Sequence, residues 1–255
     1  MNERRFSAGP PTARELVYRV LNEASESDEF ETTRLDDRAG SLSPQDRQFA
    51  RFLCRCLVSR ALTLETILAN FLQRDVEPGL LLLLKMGAAQ MLFSPKPDTH
   101  AAVNETVETA RRLGKPQWCK FLNGVLRNLG RVAVEPVARQ LDARSCPIGT
   151  SPGYLQFARP LFPDSERDFA EYLSAAFSMP LWLIERWVPR FERDDLVAIL
   201  EWFLGSNPLC VRVNLHKTTA EELTARWNAA EIETAPGELP GSLRLLDRAV
   251  AIEDL

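Results

Sequence analysis

The residues best suited to a chemical role are basic ones near the middle of the chain. At about 100° per residue, the apolar positions of a helix following Pro116 centre on one side. Four residues lie near a line on the opposite side and are called the basic stripe here: Lys120, Gly124, Arg127 and Arg131. A row of cations without a carboxylate could follow a phosphate backbone, and Gly124 would let that backbone approach closely. The alternative is an ordinary solvated helix face.

Further cations precede this helix and occur near the start of the chain. Arg111, Arg112 and Lys115 lie at the end of the preceding predicted helix, where cations also stabilise a helix C-terminus. Arg14 and Tyr18 are four residues apart, so they would be neighbours on a helix surface. A guanidinium beside an aromatic ring suits stacking on unpaired bases. The alternative is that Tyr18 closes the edge of the core and Arg14 covers it.

Other site chemistries find little support among the residue types. The chain has two histidines, His100 and His216, and neither has a second ligand at metal-binding spacing. Five cysteines, an odd number in a chain of this length, do not indicate a disulfide framework. No pair of carboxylates stands out among 35 acidic residues as an acid and base couple. We therefore expect no catalytic residue and no metal site in this chain.

Composition sets broad limits on the class of protein. The 255 residues are 45% hydrophobic and 26% charged, which is typical of a globular protein with one large or two small domains. A net charge of −4 argues against indiscriminate nucleic-acid binding but permits a local basic face. The N-terminus leads into no apolar segment and no stretch is long enough to span a bilayer. We expect a soluble, cytoplasmic protein with no membrane association.

Helix signals dominate the first 131 residues, and no strand is predicted there. Apolar residues surround most of the segment from Pro78 to about Phe93, which predicts a central helix of a bundle. The remaining helices of this region are predicted to follow Thr12, Ser43, Thr63, Thr99 and Pro116. We assign residues 1–135 to one helical domain.

The rest of the chain changes character. Five prolines fall within 132–163, so we predict a proline-rich linker over 136–163, with a short helix at 132–141. A second domain over 164–255 should begin with helices at 165–177, 180–192 and 194–204, with Pro189 bending or ending the middle one. Strands at 209–214, 232–234 and 243–246, with a helix after Thr219, give the order β-α-β-β.

Trp182 and Trp187 are expected in the core. Arg212 and Asn214 share a strand face that could meet RNA or another domain.

Several segments of the chain then show a family resemblance. Five of them, residues 13–16, 42–49, 86–90, 100–107 and 121–128, resemble the NusB-like helical domain. More narrowly, they are similar to the version fused to bacterial small-subunit rRNA (cytosine-C5) methyltransferases of the RsmB (Sun/Fmu) type. Residues 178–187 and 211–214 resemble the segment that joins that domain to the catalytic domain. Asn104, Glu105 and Asn123 match NusB-like motif positions; they could bind RNA or a partner, or tie neighbouring helices together.

The resemblance implies a mainly α fold, with a NusB-like helical bundle followed by a small α+β domain. It implies the substrate-recognition half of an S-adenosylmethionine-dependent enzyme, with small-subunit rRNA as partner. A separate methyltransferase domain or a ribosomal protein would be a further partner. The family's catalytic half would begin after Leu255, so this chain is expected to bind no cofactor and to be inactive alone. One alternative is a NusB-like transcription antitermination or regulatory factor, although a simple NusB protein would end near residue 140. Another is an interaction protein without affinity for RNA.

Overall fold

The computed structural model describes residues 11–25, 33–149, 153–205 and 209–246. The chain forms two compact units, residues 1–204 and 205–255. The described part is mainly helical, with one small antiparallel sheet in each unit. The predicted fold class, a helical bundle followed by a small α+β domain, is confirmed.

The described residues before the first strand form seven α-helices. Their bounds are α1 (Ala13–Ser25), α2 (Thr33–Arg38), α3 (Pro44–Ser59), α4 (Ala61–Ala69), α5 (Pro78–Phe93), α6 (Thr99–Arg112) and α7 (Cys119–Val132). Short 3-10 helices follow α2 and precede α7. No described helix is long and apolar enough to cross a membrane.

Local hydrogen bonds explain where two of these helices begin. The backbone N–H of Thr12 donates to Glu15 Oε2 at 2.8 Å, and the N–H of Glu15 donates back to Thr12 Oγ1 at 3.2 Å. This reciprocal pair is a capping box. Ser43 Oγ accepts from the N–H of Asp46 at 3.1 Å, and Pro44 occupies the first turn of α3. Both predicted helix starts are confirmed.

The starts of two other helices differ from the prediction that they follow Thr99 and Thr63. Asp98 caps α6, because its Oδ1 accepts from the N–H of Ala101 at 2.9 Å, and Thr99 is the first helical residue. Thr63 lies inside α4 and is fully buried. Its hydroxyl donates to the carbonyl of Ala175 at 2.7 Å, a partner 112 residues away. The threonine therefore links α4 to a helix that sequence analysis placed in another domain.

Helix α5 is the centre of the larger unit, as predicted. Leu83 and Leu84 are completely buried, and so is almost every residue from 86 to 93. A Cβ at Gly87 would lie 2.5 Å from Leu126 Cδ1, so α5 and α7 pack closely at this point. The apolar face of α7 is thereby fixed against α5.

The proline-rich segment is not the extended linker that we predicted, and it contains no helix at 132–141. It forms a three-stranded antiparallel sheet in the order β1 (Ala133–Val137), β3 (Tyr154–Phe157), β2 (Ser145–Pro147). Pro136 and Pro147 both lie in edge strands, where a missing N–H is tolerated. Cys146 and Phe157 are buried in the same core as the helices. Pro152 lies outside the described residues.

Three helices after this sheet complete the larger unit: α8 (Phe169–Phe177), α9 (Leu181–Trp187) and α10 (Arg193–Leu204). Helix α9 ends before Pro189, as predicted. Tyr172 and Leu200 belong to the core of the bundle, and the boundary between the two compact units lies after Leu204 rather than at residue 164. Trp182 is 62% exposed, contrary to prediction, whereas Trp187 is partly buried and stacks on Phe203 with ring centroids 6.2 Å apart.

The smaller unit has the predicted order β-α-β-β. Its described elements are β4 (Cys210–Arg212), α11 (Ala220–Ala229), β5 (Thr234–Pro236) and β6 (Ser242–Leu245). The strand order is β4-β6-β5, so β6, the last strand in sequence, is the central one. Thr219 and Glu222 form the predicted capping box at the start of α11. Trp227 and Leu243 belong to a separate apolar core.

Candidate nucleic-acid interface

All four residues of the basic stripe lie on the exposed side of α7. Leu122, Leu126 and Leu129, on the other side of the helix, are completely buried. A Cβ at Gly124 would have no atom within 4 Å, so the surface there is open to an approaching ligand. The structure therefore presents the three cations of the stripe together on one face.

The charges of the stripe are not neutralised by the described part of the chain. Neither Lys120 nor Arg127 forms a hydrogen bond or ion pair with any described residue. Arg131 Nη1 donates to Asn128 Oδ1 at 3.2 Å, and this amide carries no charge. All three side chains can therefore pair with external anions such as phosphates.

The cations upstream of α7 differ in their surroundings. Arg111 is exposed and forms an ion pair with Glu108 at 2.9 Å; the hydrogen bond that its Nη1 donates to Glu108 Oε2 raises the pKa of Arg111. Arg112 Nε lies 2.9 Å from Glu15 Oε2, and Glu15 is only 1% exposed. Lys115 Nζ lies 4.9 Å from the ring centroid of Trp118. Arg112 and Lys115 are thus engaged within the bundle, and Arg111 alone of the three is fully at the surface.

Arg14 is bound on several sides by the protein itself. Its Nε donates to Gln90 Oε1 at 2.8 Å, and its Nη1 lies 3.3 Å from Glu105 Oε2. Its guanidinium carbon lies 4.7 Å from the ring centroid of Phe49. Burial lowers the pKa of Arg14, although Glu105 and Asp46 oppose that shift. The side chain therefore ties α1 to α3, α5 and α6.

Tyr18 is half-buried, and its hydroxyl covers Gly79. A Cβ at Gly79 would lie 2.4 Å from the Tyr18 oxygen and 3.2 Å from Trp118. Burial raises the pKa of Tyr18, and the carboxylate of Glu77 adds to this shift. The structure thus favours the alternative interpretation of Arg14 and Tyr18, in which they close the edge of the core.

An open groove of about 480 Å³ lies between α6 and α7, next to the stripe. Its polar lining carries both signs of charge: Asn104, Glu105, Glu108, Arg111, Lys120 and Asn123. All of these except Glu108 are candidate site residues predicted from the sequence. The i, i+4, i+7 spacing of positions 104, 108 and 111 could have identified it, because such residues share one helix face. Because Glu105 forms an ion pair with Arg14 and also lines the groove, the hydrogen-bond network around Arg14 extends to this groove.

The described residues contain no candidate metal cluster, and three of the five cysteines are buried. No group of three His, Cys, Asp or Glu side chains there could hold a metal ion. Cys54, Cys56 and Cys146 are buried, and burial raises the pKa of both Cys56 and Cys146 to about 12. Because the thiolate is the nucleophilic form of cysteine, these two are held in the unreactive thiol state.

Comparison with known families assigns both parts of this architecture. The NusB family matches residues 11–131, the helical region that carries the basic stripe. A family described as the Methyltr_RsmF/B-like, ferredoxin-like domain matches residues 179–253, which include α9, α10 and the smaller unit. One part of the chain thus matches the NusB family and a later part matches the RsmF/B-like ferredoxin-like domain, which confirms the resemblance seen in the sequence.

Individual relatives agree with this assignment. The chain is 25% identical, over 96% of its length, to the probable ribosomal RNA small subunit methyltransferase B of Synechocystis sp., and covers 50% of that protein. It is 26% identical to the Bacillus subtilis protein of the same name, over 84% of the chain and 43% of the relative. The transcription antitermination protein NusB of Marinomonas sp. is 26% identical over 54% of the chain. The chain thus spans about half the length of the methyltransferase relatives.

One solved structure has a similar fold. The crystal structure of PH0851 superimposes with a TM-score of 0.55 at 12% sequence identity, over 93% of this chain and 49% of that one. At this identity the similarity concerns the fold alone.

Proposed function

We propose that this chain binds RNA and serves as the substrate-recognition part of an S-adenosylmethionine-dependent rRNA (cytosine-C5) methyltransferase. The observation that carries the proposal is the exposed and unneutralised basic stripe on a NusB-family domain. The names of the full-length relatives support small-subunit rRNA as the target. On this proposal the chain binds the RNA. The binding site for S-adenosylmethionine and the reacting cysteine lie outside the described residues.

A transcription antitermination factor is the second candidate, because two relatives named transcription antitermination protein NusB each match 54% of the chain. The ferredoxin-like domain favours the methyltransferase role. The relatives named methyltransferase B extend over as much as 96% of the chain, whereas the match to the Marinomonas NusB protein covers 54%. A ribosomal protein partner would fit the second candidate, and a separate methyltransferase domain would fit the first.

The triple variant K120A/R127A/R131A tests the RNA-binding role of the stripe. Each phosphate contact contributes about 0.7 to the slope of log K against log salt for single strands, so binding should weaken and the slope should fall by about 2. Filter binding to a small-subunit rRNA hairpin across a salt series measures both quantities. The fold should survive, because exposed substitutions usually change stability by less than about 0.5 kcal/mol each.

A matched control removes three exposed cations elsewhere in the larger unit, as R19A/R74A/K96A. It makes the same change in net charge, so it separates a local contact from a general electrostatic effect. If the two triple variants bind alike, or if the stripe variant binds like the parent, the stripe is an ordinary solvated face and the proposal fails.

A further inference from the structure

The sheet of the smaller unit has two faces of different character. Directly paired residues of antiparallel strands lie on the same face. Val211 pairs with Leu243, and Leu243 and Leu245 are buried in the core with Trp227 of α11. In the described part of this unit, α11 is the helix available to cover the sheet, and it packs on that inner face.

Two arginines occupy the outer face. Arg212 pairs with Ser242 and Cys210 pairs with Arg244, so the two arginines are diagonal neighbours on adjacent strands. Residues in this relation are typically about 7–8 Å apart, within reach of long side chains. Both are exposed. Neither forms an ion pair or hydrogen bond with a described residue. Sequence analysis noted Arg212, but the second arginine becomes visible only through the register.

The residues paired with these arginines are small and leave the outer face sterically open to an anion. Ala235, which pairs with Arg244, is small, and so are Cys210 and Ser242. Glu233, just before β5, shares the face of Ala235 by strand alternation, and its pairing next to Leu246 makes it a diagonal neighbour of Arg244. The acidic residues of α11, Glu221 and Glu222, belong to the helix on the inner side. Two arginines thus face one carboxylate, so the described outer face has a net positive charge within a unit that is acidic as a whole.

We propose that Arg212 and Arg244 form a second contact with the RNA backbone, on the outer sheet face of the smaller unit. This proposal rests on the proposed function, and it adds a site that lies outside the NusB domain. The face has no aromatic ring among its described residues, so it cannot stack bases as other RNA-binding sheets do. Arginine instead matches phosphate geometry with two donors at once, which gives affinity without sequence preference. An acidic protein partner would need an apolar anchor, and the face offers only Leu246 at its edge.

The test measures binding of the full chain to a fluorescein-labelled oligouridine across a salt series. R212A and R244A should each flatten the salt slope by about 0.7, and the double variant by about 1.4, with weaker binding. R226A is the matched control, because Arg226 is an exposed arginine on α11. It should bind like the parent. Circular dichroism and the melting temperature check that each variant is folded.

The outcomes separate this proposal from the proposed function. If the parent binds and the stripe variant is weakened, but R212A/R244A binds like the parent, the sheet contact is wrong and the stripe remains the RNA site. If R226A weakens binding as much as R212A does, the effect is one of general charge and the proposal is overturned. If R212A/R244A retains RNA binding but loses binding to poly-L-glutamate, the face takes an acidic polypeptide and the proposal is again overturned. A parent chain that binds no RNA overturns both.

Discussion

Arg111 and Arg112 are adjacent in sequence, yet their side chains have opposite surroundings. Arg111 pairs at the surface with Glu108, which lies one turn earlier on the same helix. Arg112 is only 27% exposed and pairs with the buried carboxylate of Glu15 on α1. A surface pair contributes little to stability, whereas removing one partner of a buried pair leaves an uncompensated charge. Removing Arg112 should therefore lower the stability of the fold, whereas removing Arg111 should not.

We expect R112A to destabilise the protein by about 3 kcal/mol, because it leaves Glu15 buried without its cation. R111A should leave the free energy of unfolding unchanged and is the control. Urea denaturation followed by circular dichroism measures both. The assignment of Arg112 to the bundle would be incorrect if the two variants had equal midpoints.

Whether the role of a side chain can be predicted from sequence depends on how distant its partners are along the chain. The stripe is a helix-face property, so it follows from spacing alone, and its exposure is confirmed. Arg14 bonds to Gln90, 76 residues away, and Arg112 bonds to Glu15, 97 residues away. No local pattern reveals such pairs, so Arg14 and Arg112 resembled surface cations in the sequence.

At the scale of elements, predictions from helix caps and apolar periodicity were mostly correct. The proline-rich segment was misjudged because prolines indicate a break, whereas edge strands also accept them. Thr63 was misjudged because its hydroxyl satisfies a carbonyl of α8 rather than its own helix start. In both cases tertiary contacts, which a single sequence does not display, decide what the residue does.

This reassignment changes where a protease should cut. The buried residues Cys146 and Phe157 lie within the segment that was predicted as a linker, so we expect little cleavage there in the folded chain. Limited proteolysis should instead yield a stable N-terminal fragment that ends near Leu204, at the boundary between the units. Mass spectrometry of the first fragments identifies the site. An early cut within 136–149 would indicate that the sheet does not belong to the larger unit.

On the scale of the whole molecule, net charge would not account for the proposed RNA binding. Residues 1–204 carry 26 basic and 27 acidic side chains, and residues 205–255 carry 5 and 8. Both units are therefore slightly acidic. Any affinity for a polyanion must come from local surfaces such as the stripe, which is why salt slopes of local variants are the informative measurements.

The chain should show no measurable binding of S-adenosylmethionine. No two of its glycines form a Gly-x-Gly arrangement, which lets the backbone approach a bound cofactor closely in Rossmann-like folds. Titration calorimetry of the full chain with the cofactor should give no heat above dilution, and the chain should not methylate RNA. A micromolar dissociation constant would place a cofactor site in this chain and contradict its role as a recognition part alone.

The strand order of the smaller unit has a consequence for synthesis. Because β6 is the central strand, β4 and β5 have no partner until residues 242–245 have been made. The 204 residues of the larger unit are all synthesised before β6, since the chain grows from its N-terminus at roughly 5–20 residues per second, and domains fold as units. The larger unit can thus fold while β4 of the smaller unit has no paired strand, so we expect the two units to fold in sequence order.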